Sequence, residues 1–147
     1  MSPGGETASV SPGGRTAAGA ANSAWGRALV AAYAFMALAA CARSAVQIAT
    51  RFGAAPVAFG LSAVSGAIYV VAAVSLSRLG ARAHLVASVC CATELAAVLA
   101  VGAWSLLDPG RFPEPTVWSE FGAGYGFFPL VLPVLGLLWL ARTRPRP

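Results

Sequence analysis

"AHLVASVCCATELAAVLAVGAWSLL", residues Ala83 to Leu107, decides the fold. It holds one carboxylate, Glu94, near its middle and is otherwise almost wholly apolar or small. A helix needs about 20 predominantly apolar residues to cross a hydrocarbon core about 30 Å thick, and this stretch is long enough. Working outward from it, Gly26 to Thr50, Pro56 to Leu79 and Phe121 to Leu140 read the same way, separated by charged or proline-rich breaks. The 147 residues are 58% hydrophobic and only 10% charged, with a mean hydropathy of +0.73, whereas soluble domains carry about 25% charged residues. A globule of this size has too little interior to cover every face of four such helices. The alternating segments of a membrane barrel are missing as well. The expected fold is therefore all-α, a four-transmembrane-helix bundle over residues 24–141, because a helix satisfies its own backbone in lipid.

Charge placement gives the expected orientation. All ten basic residues are arginine. Arg15 and Arg27 precede the first span, Arg78 and Arg82 join the second to the third, and Arg142, Arg144 and Arg146 lie in a short basic tail, 142–147. The other end carries Arg51 and Arg111 beside Asp108, Glu114 and Glu120. By the positive-inside rule both termini are expected in the cytoplasm. The arginines are spread over separate segments, so anionic lipid headgroups explain the net charge of +5 better than nucleic acid does. Trp25 and Trp139 fall at the expected inner boundary, and Trp104 and Trp118 at or beyond the outer one.

Residues 1–23 repeat "SPGGETA" (Ser2 to Ala8) as "SPGGRTA" (Ser11 to Ala17), turn formers without apolar periodicity, and are expected to form a disordered cytoplasmic tail. "LAAC", Leu38 to Cys41, resembles the end of a lipoprotein signal, but no helix breaker follows it and further spans do, so chance in an alanine-rich helix is preferred. Cys90 and Cys91 are adjacent and point about 100° apart on a helix, which suits packing better than redox or metal chemistry. Small residues recur at helical spacing as Ala58, Ser62 and Gly66, and as Ser88, Ala92, Ala96 and Ala100. Such ladders favour close helix contact, within the bundle, in a homo-oligomer or with a membrane-protein partner. Pro129 and Pro133 in the fourth span predict a kink or an opened turn.

Two charges remain inside the expected hydrocarbon. Glu94 falls near the midplane, and Arg43 of the first span lies about 6 Å farther toward the loop end at 1.5 Å per residue. Each charge alone costs about 2.5 to 3.5 kcal/mol at such depth, so an Arg43 to Glu94 pair, joined by Gln47 and by Tyr69 of the second span, is the expected structural device. Arg51, Glu114 and Glu120 form an expected charge cluster at the mouth of the same stripe. No nucleophile with its base, no metal cluster and no phosphate loop is legible, and no cofactor is expected. His84, the single histidine, reads as an interfacial residue and makes no metal site alone.

The segments "ARSAVQIATRF" (Ala42 to Phe52), "PTVWSEFGAGYGF" (Pro115 to Phe127) and "PLVLPVLGLLWL" (Pro129 to Leu140) resemble small multi-pass integral membrane proteins of actinobacteria that lack an assigned activity. That resemblance implies a plasma-membrane location and brings no catalytic residues. Small multidrug exporters share the size and the four-span plan, yet carry their essential glutamate in the first span, where this sequence has Arg43. The expected role is thus a non-enzymatic accessory or assembly protein built around the Arg43 to Glu94 pair. The alternative is a small proton- or ion-coupled transporter with Glu94 as the titrating group.

Overall fold

The computed structural model describes residues 23–78 and 80–144, so the expected tail at 1–23, apart from its last residue Ser23, and the end of the basic tail lie outside the described residues. Four α-helices follow one another: α1 (Ala24–Arg51), α2 (Pro56–Leu76), α3 (Ala81–Leu107) and α4 (Phe128–Arg142). No strand occurs among the described residues. Three of the helices are long and apolar enough to cross a membrane, and a fourth crossing results if α4 is counted together with the short helix before it. Their outward faces remain apolar, with Leu38 at 70% and Phe35 at 66% exposed. Such faces suit lipid and would be costly in water.

Local chemistry sets the helix ends. The Ser23 Oγ accepts from the Gly26 N–H at 3.2 Å and caps α1. Pro56 stands at the start of α2, where its missing N–H costs nothing. At the last turn of α4 the His84 Nε2 donates to the Leu140 carbonyl at 2.8 Å, which also accepts from the Thr143 amide at 3.3 Å. His84 therefore ties the first turn of α3 to the last turn of α4.

The helices pack in ring order. α1 lies most extensively along α2, α2 touches α3, α3 runs beside α4, and α4 closes back onto α1. α1 and α3 are diagonal, with almost no backbone approach. The close contacts are cysteine against glycine: a Cβ at Gly66 would stand 2.9 Å from the Cys41 Sγ, and one at Gly136 would stand 2.9 Å from the Cys91 Sγ. The Ala58, Ser62 and Gly66 ladder is buried as expected. The second ladder lies outside the bundle's own contacts. Ala92, Ala96 and Ala100 face outward, and α3 instead buries Ala87, Cys91, Glu94, Val98, Val101, Gly102 and Ser105.

The fourth span also departs from expectation. α4 begins at Phe128, and residues Ser119–Tyr125 form a separate 3-10 segment bent 98° from it. The break falls at Gly126 and Phe127, both left-handed, just ahead of Pro129, with Pro133 inside the helix that follows. Glu120, Phe121 and Gly122 are left-handed too. Thr116 and Ser119 close the preceding turn on themselves: the Thr116 Oγ1 accepts from the Trp118 and Ser119 amides, and the Ser119 Oγ accepts from the Thr116 amide. This turn drives Val117 and Trp118 into the bundle. Trp118 is consequently buried and not an interfacial anchor, because the connection between α3 and α4 folds inward over α3.

Candidate functional site

Glu94 projects from the middle of α3 into the centre of the bundle and is 0% exposed. The Arg43 to Glu94 pair expected from the sequence is not made. Arg43 sits on the diagonal helix, and the infolded loop supplies better partners: its Nη1 donates to the Tyr125 hydroxyl at 3.2 Å and its Nη2 donates to the Pro115 carbonyl at 3.0 Å. Its Cζ lies 5.8 Å from the centroid of the Tyr125 ring. Neither oxygen of Glu94 has a hydrogen-bond partner among the described residues.

Two tyrosines enclose the carboxyl. Tyr33 of α1 and Tyr69 of α2 both face Glu94, with ring centroids 6.0 Å apart, and both are completely buried. The Tyr33 hydroxyl shares a 3.3 Å hydrogen bond with the Cys91 Sγ across the bundle, directly beneath Glu94 and against Gly136. The Tyr69 hydroxyl lies near Glu94, the Trp118 indole and Tyr125. Each of these approaches falls outside hydrogen-bond geometry, so the Tyr69 hydroxyl and the Trp118 Nε1 are left without partners. The Ser44 Oγ, the Gln47 Oε1 and the Ser62 Oγ are likewise buried and unpartnered. Such groups are rare in folded proteins, and they mark places where water or another ligand bonds.

The remaining candidates gather at the loop end. Arg43, Gln47, Arg51 and Glu114 line one groove of about 550 Å³ together with Ala42 and Val46. Arg51 and Glu114 pair at 3.6 Å, while the expected third member, Glu120, takes no part in either ion pair found among the described residues. Its left-handed backbone turns it away and directs its amide to the Ser105 Oγ at 2.9 Å. No cluster of three metal-ligating side chains occurs among the described residues.

Of the sequence candidates, then, Tyr69 joins Glu94, and Gln47, Arg43, Arg51 and Glu114 join one another. Sequence reasoning missed Tyr33, Ser44, Trp118 and Tyr125. Tyr33, Ala40 and Gln47 recur at seven-residue spacing and so share one helix face, a signal that could have linked Tyr33 to the polar stripe. No protein family, curated protein or solved structure matches this chain.

Proposed function

We propose that this chain is a small proton carrier of the plasma membrane, with Glu94 as the group that takes up and releases the proton and with both termini in the cytoplasm. One observation carries the reading: a carboxyl at the centre of an apolar bundle, fully enclosed, with neither oxygen bonded. An ionised acid there costs several kcal/mol unless paired. The guanidinium that would have neutralised it is engaged by Tyr125 and Pro115. Uptake of a proton removes that charge, and the enclosing side chains Tyr33, Tyr69, Cys91 and Val98 are packed to 0% exposure, an enclosure suited to a proton more than to a larger ion. The reaction needs no covalent chemistry and no cofactor. The lipid bilayer is the partner that the apolar outer faces require.

The test is proton flux into vesicles containing the purified protein, driven by a potassium diffusion potential and read with an internal pH dye. Wild type is expected to conduct, and Glu94→Gln to fall to the level of protein-free vesicles while keeping its elution volume in detergent. Unchanged flux in Glu94→Gln would refute the reading.

An accessory role is favoured by a separate observation, the outward ladder of Ala92, Ala96 and Ala100 on α3, which a partner helix would cover. Ala96→Cys should then form an oxidative cross-link to a second copy or to another membrane protein.

A further inference from the structure

The unpartnered polar atoms are not scattered. Cys41 of α1 lies opposite Gly66 of α2, and the two helices are antiparallel, so Ser44 and Ser62 stand at the same level, one turn nearer the loop end. Gln47 lies one further turn out and lines the groove with Arg43, Arg51 and Glu114. In the other direction, the Tyr69 side chain leans toward the N-terminus of α2, which is the loop end, and its hydroxyl lies near the Trp118 indole and Glu94 without a hydrogen bond to either. Cys91 contacts Tyr33, so Glu94 stands about three residues beyond Tyr33 in level, and Gln47 lies about 16 Å above it at 1.5 Å per residue.

On the side of Glu94 that faces the termini the arrangement is different. The Tyr33 hydroxyl and the Cys91 Sγ bond to each other against Gly136 and form a floor. Below it the buried residues are mostly apolar, among them Leu29, Leu76, Ala87 and Leu140, with Ser75 a buried hydroxyl residue beside Leu76. Every unpartnered buried side-chain oxygen or nitrogen among the described residues belongs to Glu94 or to a residue toward the loop.

Resting on the proton-carrier reading, we infer that Gln47, Ser44, Ser62, Tyr69 and Trp118 hold a file of water molecules that connects Glu94 to the groove at the loop end, so that in this conformation of the carrier Glu94 exchanges protons with that side alone. The chemistry fits this role. Hydroxyls and water both donate and accept, and a side-chain amide oxygen accepts, so these groups can hold single waters that relay a proton. A water inside protein requires two to four polar partners, and this is the stretch of the bundle that supplies them. A proton passes such a file by exchange along hydrogen bonds.

The experiment is thiol protection by silver ion, which is small and membrane-impermeant. In a Cys41→Ala/Cys90→Ala background that keeps Cys91 of the floor, one further cysteine at a time is placed on the proposed file (Ser44→Cys, Ser62→Cys) or beyond the floor (Leu29→Cys, Leu76→Cys), and alkylation is read site by site by mass spectrometry. Vesicle sidedness is read from Ser23→Cys and Gly110→Cys references. Silver added on the loop side should protect positions 44 and 62 from later alkylation in denaturant and leave positions 29 and 76 reactive. Silver added on the other side should protect none of the four. Gln47→Leu, at the mouth, should slow protection at 44 and 62 together. Absence of protection at 44 and 62, or protection from the side of the termini, overturns the file even if Glu94→Gln abolishes flux. Protection as expected with flux undiminished in Glu94→Gln upholds the file and overturns the carrier reading.

Discussion

Glu94 and Arg43 show how a single partner choice changes what a buried residue is for. A carboxyl held in a structural pair would make its removal strongly destabilising, because the arginine would be left uncompensated. Here the arginine is bonded elsewhere and the carboxyl is unpartnered. Glu94→Met, similar in length and apolar, is therefore expected to unfold at the same temperature as wild type or higher, by up to about 1–3 kcal/mol of relieved desolvation, while losing proton flux. A thermal unfolding scan in detergent checks this, and a clear loss of stability would restore a structural role to the carboxyl. For Arg43 the expectation is the reverse. Arg43→Lys keeps the charge but cannot reach both Tyr125 and the Pro115 carbonyl, so it should weaken loop docking by about 1–2 kcal/mol and speed protease cleavage within residues 108–118.

At the scale of elements, the contact of α3 with the segment Ser119–Tyr125 depends on one missing methyl. A Cβ at Gly102 would stand 2.6 Å from the Phe121 Cδ1 and 2.8 Å from its backbone nitrogen, so the segment itself would have to move. Gly102→Ala should cost about 1–3 kcal/mol in thermal stability and expose Trp118, read as a red shift of tryptophan emission. The α3 to α4 contact is different in kind, since a Cβ at Gly136 meets the far end of a side chain, the Cys91 Sγ. Gly136→Ala should destabilise alone and be largely rescued by Cys91→Ala, whereas no shortening of Phe121 removes the backbone clash at Gly102. A double-mutant cycle distinguishes the two cases.

For the whole molecule, the uneven helix lengths set its fit to a bilayer. α4 has 15 residues and spans about 22 Å, less than a typical hydrocarbon core, and the bent segment before it, in which Ser119 and Gly122 are buried, would make up the remainder if the two count as one crossing. Irregular backbone at membrane depth is tolerated where protein covers it, and α3 and α4 do so. The protein should therefore resist denaturant better in bilayers of short-chain lipid than in those of long-chain lipid, with the difference reduced in Gly102→Ala, where the segment is already displaced.

Composition and apolar run length alone determined an all-helical bundle, the number of apolar segments, and the approximate limits of α1, α2 and α3, because the length of a spanning helix is set by the solvent and each residue counts independently. The polar stripe Arg43, Gln47 and Arg51 was legible for a related reason, since helical periodicity places those residues on adjoining turns. Which helices would be neighbours was not legible. That α1 and α3 lie diagonally, that the loop folds inward to claim Arg43, and that Ala92, Ala96 and Ala100 face outward all follow from packing between segments distant in the chain. Local pattern carries no information on the order of helices around a ring. Only tertiary structure left Glu94 enclosed by Tyr33 and Tyr69 without a counter-charge, because its surroundings come from three other segments at once.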